Sequence, residues 1–70
     1  QFALYPNPSS ANLNIISDRE IGAWQIEDWT GKCVLKGKES NHSTTISIDK
    51  LASGQYTLKV DNQTKIFLKY

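Results

Sequence analysis

The 70-residue chain carries eight basic and seven acidic residues, a formal charge of +1, with 39% hydrophobic and 21% charged residues. A chain this short is one domain that buries only about 60% of the surface its unfolded form exposes, which excludes multidomain enzymes, dinucleotide-binding sheets and (β/α)8 barrels. The composition is that of a folded chain, and the balanced charge lacks the concentrated basic face of a nucleic-acid binder.

Val, Ile, Thr, Tyr, Phe and Trp together supply 21 of the 70 residues, which favours pleated, half-buried strands. The hydrophobic period is two throughout, and no window repeats apolar residues at helical spacing. Phe2–Tyr5 is a short candidate strand, ended by Pro6-Asn7-Pro8, whose prolines cannot donate to a ladder. Leu13 and Ile15 then alternate with Asn12 and Asn14, and Trp24 and Ile26 with Gln25 and Glu27. Asp28-Trp29-Thr30-Gly31 suits a type I turn with Gly31 in the left-handed region, leading into a short strand at residues 34–36. Asn41 and Ser43 mark a polar loop before Ile46 and Ile48, which alternate with Thr45 and Ser47. Tyr56, Leu58 and Val60 form the clearest inward row. Asp61-Asn62-Gln63 is a tight hairpin into a final strand at residues 64–70. There the register is open: Ile66 and Leu68 share one face, with Lys65, Phe67 and Lys69 on the other. About seven short antiparallel strands at this spacing predict an all-β, immunoglobulin-like β-sandwich.

Residues capable of chemistry are few. The single histidine, His42, lies in the polar loop, where a solvated ring is favoured over a catalytic triad. One cysteine allows no internal disulfide, and one Cys with one His cannot close a zinc shell. The acids are scattered, and strand neighbours Glu27 and Asp28 diverge, so a calcium site is not expected. Cys33, beside Lys32, reads as a small core residue more readily than as an activated thiolate. Trp24 is expected in the core and Trp29 exposed in its turn. Asn41-His42-Ser43 and Asn62-Gln63-Thr64 match a glycosylation acceptor pattern, relevant only in a host with that machinery. No cofactor is expected. No run is long and apolar enough for a transmembrane helix, and no signal-peptide pattern occurs within these residues. Gln1 is not a natural start, so the chain is expected to be a piece of a longer protein.

Four motifs in order resemble one family. Leu4-Tyr5-Pro6-Asn7-Pro8 followed by Leu13-Asn14-Ile15 is similar to the opening "YPNP" turn and strand of type A C-terminal sorting domains of the type IX (Por) secretion system. The hairpin Ile26-Glu27-Asp28-Trp29-Thr30-Gly31-Lys32-Cys33-Val34 matches the family's second motif. The third is Ile48-Asp49-Lys50-Leu51-Ala52-Ser53-Gly54-Gln55-Tyr56-Thr57-Leu58-Lys59-Val60. The lysine-flanked strand Lys65-Ile66-Phe67-Leu68-Lys69 is the fourth. Trp24 stands where the family is usually aliphatic, and Asp49-Lys50-Leu51 is slightly compressed.

The resemblance implies a non-enzymatic sorting domain spanning residues 1–70, at the C-terminus of a cargo exported through the periplasm of a Bacteroidetes-type bacterium. It implies engagement of the type IX translocon and its outer-membrane shuttle proteins, then removal by a sortase-like peptidase. The cargo ends at the cell surface or in the medium. Self-association through an edge strand stays open. Lys65, Phe67, Lys69 and Tyr70 are the candidate recognition residues, reached by addition of a partner to the last strand. Tyr5, Pro6, Asn7, Pro8, Asp28, Gly31, Lys32, Leu51, Gly54 and Tyr56 are motif residues expected to maintain the fold. A carbohydrate-binding or adhesive immunoglobulin-like module, with Trp24 and Trp29 as its platform, is the alternative.

Overall fold

The computed structural model describes residues 1–70 as seven strands and no helix. They are β1 (Phe2–Tyr5), β2 (Asn12–Ser17), β3 (Gly22–Asp28), β4 (Cys33–Glu39), β5 (Ser43–Ser47), β6 (Gly54–Val60) and β7 (Gln63–Lys69). A three-stranded sheet in the order β1-β2-β5 faces a four-stranded sheet in the order β4-β3-β6-β7, and every pairing within the sheets is antiparallel. This is an immunoglobulin-like sandwich in which the fourth strand pairs with the third instead of joining the first sheet.

Alternation places the core. Leu13 and Ile15 of β2, Ile26 of β3, Tyr56, Leu58 and Val60 of β6, and Phe67 of β7 all lie buried between the sheets. Phe67 resolves the register of the last strand: it faces inward, while Ile66 and Leu68 point out. Its ring stacks on Tyr56 with centroids 5.7 Å apart, a contact worth about 0.5–1.5 kcal/mol beyond area burial. Ile21 and Ile48 reach the core from outside the strands. Their amides donate to Asn41 O (3.1 Å) and Ala11 O (2.8 Å), which ties those connections down. The connection Asp61-Asn62 is two residues long, and Asp61 takes a left-handed backbone (φ 55°).

Two expectations change. The fourth strand has seven residues where residues 34–36 were expected, because Lys36 and Lys38 alternate with Gly37 and leave little hydrophobic signal. Cys33 is exposed, not a core residue. The cause is a bulge. Ile26 pairs with Leu35 but Glu27 pairs with Cys33, so Val34 is an extra residue that breaks the alternation. Val34 turns onto the core and Cys33 is carried to the outer face beside Glu27. Also on that face, Glu27 accepts from Gln25 (2.6 Å) and pairs with Lys59 (3.2 Å).

Candidate functional site: the last strand and its clasp

β7 is one of the two edge strands of its sheet, and the chain between β1 and β2 runs along part of its edge. The sequence dictates how. Pro6 and Pro8 lack amide hydrogens, so residues 6–8 cannot continue as an ordinary paired strand. A side chain takes over instead. The Leu68 amide donates to Asn7 Oδ1 (3.0 Å), and Asn7 Nδ2 donates to Ile66 O (3.5 Å). One residue past Pro8 the backbone resumes the task. Ser9 N donates to Leu68 O (2.8 Å), and Tyr70 N donates to Ser9 O (2.9 Å). Ser9 is wholly buried, with its hydroxyl donating to the Pro6 carbonyl.

This clasp corrects the expectation that the whole last strand offers a free edge. Leu68 directs both backbone groups at the clasp, so by the two-residue period Ile66 and Thr64 also direct theirs away from β6. Asn7 and Ser9 satisfy the edge from Ile66 O to Tyr70 N. Thr64 N–H, Thr64 C=O and Ile66 N–H are left as the open part.

The candidate recognition residues separate accordingly. Phe67 is fully buried, so its side chain is not on the surface of the folded domain and instead seats β7 on the core. Lys65 is exposed, with its ammonium 5.7 Å from the centre of the Phe2 ring. Lys69 is half-buried, its Nζ donating to Tyr70 O (2.7 Å). Tyr70 is exposed, and with Ile66 and Leu68 it leaves large apolar side chains uncovered along the strand.

The remaining motif residues lie elsewhere. Tyr5, Pro6, Asn7 and Pro8 are exposed at the clasp. Asp28 organises the β3–β4 turn. Its Oδ1 accepts from the Thr30 hydroxyl (2.6 Å), the Thr30 amide (2.9 Å) and the Lys32 amide (3.1 Å). The Thr30 hydroxyl, then the backbone amides and the Lys32 charge, hold this carboxyl below the usual carboxylate range against a smaller opposing desolvation. Gly31 takes φ +90°, which a side chain would strain. Leu51 packs half-buried against the core from the β5–β6 connection, and Gly54 opens β6 with φ +153°. The Tyr56 hydroxyl donates to Ala52 O (2.7 Å), which pins that connection to β6.

No group of three or more His, Cys, Asp or Glu stands together, and His42 is exposed in its loop. Trp24 is half-buried against the core while Trp29 is 80% exposed in its turn, so of the two rings of the alternative sugar platform only Trp29 stands largely free. Ser9 escaped sequence reasoning: a lone serine after a proline gives no hydrophobic signal, and only its burial beside Pro6 and Leu68 reveals its part.

The description "Secretion system C-terminal sorting domain" belongs to a family model that matches residues 3–69. No curated protein and no solved structure matches the chain. The match spans all four motifs, the clasp and β7, and the chain belongs to the family of type IX secretion system C-terminal sorting domains.

Proposed function

We propose that this domain is the export address of a larger cargo protein. It is read by the type IX translocon and its outer-membrane shuttle, then removed by a sortase-like peptidase. The cargo is left on the cell surface or released. The observation that carries this reading is the family match over residues 3–69. We place the recognised surface on β7, with Lys65, Lys69 and Tyr70 facing the machinery and Phe67 holding the strand in position from behind. Tyr5, Pro6, Asn7 and Pro8 keep that strand in place, while Asp28, Gly31, Lys32, Leu51, Gly54 and Tyr56 maintain the turns that frame it.

The test is export of an inert periplasmic reporter carrying residues 1–70 at its C-terminus. The host has a working type IX system, and its twin lacks the translocon. The reporter is expected at the surface or in the medium of the competent host only. Removal of residues 65–70 is expected to abolish that export. A reporter held in the periplasm of both hosts overturns the reading.

A further inference from the structure

We propose that the open edge of β7 at residues 64–66 receives an extended peptide segment of the export machinery, added as a further strand and halted at Asn7. This rests on the sorting reading above and supplies the physical means by which the signal is bound.

The backbone carries the first argument. Folded proteins cover or blunt their sheet edges, because an unpaired row of N–H and C=O groups templates another strand. Here the cover is partial. Asn7 and Ser9 satisfy the edge from Ile66 O onward, and Thr64 N–H, Thr64 C=O and Ile66 N–H remain unpaired. Only an extended chain presents donors and acceptors at the spacing these groups need. A crevice opens at the same place, lined by Ala3, Leu4, Asn7, Lys65 and Ile66, between the edge strands of the two sheets. Asn7 closes one end of it and thereby sets the register.

Side chains define the chemistry of the incoming segment. Lys65 is the one ionisable residue lining the crevice, and Ile66 is 57% exposed on the opposite face of β7. Lateral neighbours on a sheet interact across the same face. The added strand therefore sets an acidic side chain beside Lys65 and an apolar one beside Ile66. The opposing view of Lys65 is a guard that repels accidental pairing, and substitution of this residue separates the two.

The experiment uses the reporter fusion with two variants, T64P and K65E. The Thr64 amide points away from β6, so proline removes the outward donor without breaking the β6–β7 ladder. Lys65 is exposed, so Lys65→Glu inverts the charge and gives up only the ammonium's 5.7 Å approach to the Phe2 ring at the rim of the core. Each purified variant is expected to unfold cooperatively near the parent midpoint. Each is expected to lose export by about tenfold or more, which corresponds to about 1.4 kcal/mol of binding. Folded variants exported at the parental level, with truncation of residues 65–70 still blocking export, overturn this inference and leave the sorting reading standing. A parent fusion that is not exported removes both. If T64P does not fold, K65E decides alone. A parent that sediments as a dimer and becomes monomeric in T64P overturns the inference in favour of a second copy of this chain.

Discussion

The indole of Trp24 occupies the space that a side chain at Gly37 would need. A Cβ at Gly37 would lie 2.7 Å from Trp24 Cζ2 and 2.9 Å from Cε2. The two residues are direct partners across β3 and β4, so the glycine provides a bare patch of strand on which the ring lies. Gly37→Ala is expected to destabilise the domain by about 1–3 kcal/mol, because the ring must leave its position. With Trp24→Leu in the background, that cost is expected to shrink. Urea unfolding of the four proteins of this cycle measures the coupling; additive effects would show that the ring does not depend on the glycine.

Asn7 replaces a strand with a side chain. Asn7→Ala removes the acceptor of the Leu68 amide and the donor to Ile66 O. The edge is open to water, so the expected loss is modest, about 1 kcal/mol. Hydrogen exchange reads the local effect more sharply. The Leu68 amide should exchange faster in the variant, while the Leu58 amide, central in β6, should follow global stability alone. Equal acceleration of both amides would mean that Asn7 supports the whole sandwich and not the edge.

Asp28 makes stability depend on acid. Its folded-state pKa is depressed, chiefly by the Thr30 hydroxyl. A group depressed in this way contributes stability above its unfolded pKa and loses it as pH falls through the folded value. The urea midpoint of the parent should therefore decline between about pH 5 and pH 2. Asp28→Asn, which cannot titrate, should decline less over the same range. Parallel declines would assign the acid sensitivity to other carboxylates.

Tyr56 joins two functions in one side chain, a ring stacked on Phe67 and a hydroxyl bound to Ala52 O. Tyr56→Phe keeps the first and removes the second. The expected cost is about 1 kcal/mol, rising toward about 3 if the Ala52 carbonyl finds no water. Tyr56→Leu should cost more, since it also loses the stack. A Phe variant as stable as the parent would make the hydroxyl contact incidental.

Much of the fold is legible in the residues because the pleat has a period of two. Leu13 and Ile15, Tyr56 to Val60, and the turn at Asp28 to Gly31 stand where alternation and turn chemistry put them. Cys33 was not legible, because a one-residue bulge at Val34 inverts its face and no local feature announces the bulge. The length of β4 was hidden for a related reason: lysines alternating with a glycine carry no apolar period, and the packing partner of Gly37 lies on another strand.

The family motifs are visible as residue strings, and their order alone pointed to a sorting domain. What Asn7 and Ser9 do was decided only in three dimensions. Asn7 and Leu68 are 61 residues apart in the chain, and local propensity carries no information across such a distance. Short-range rules, turns and alternation, thus determined the strands and the inward rows of this protein. Contacts between distant residues decided which half of the last strand is clasped and which half stays open, because an edge exists only once the sheets have formed.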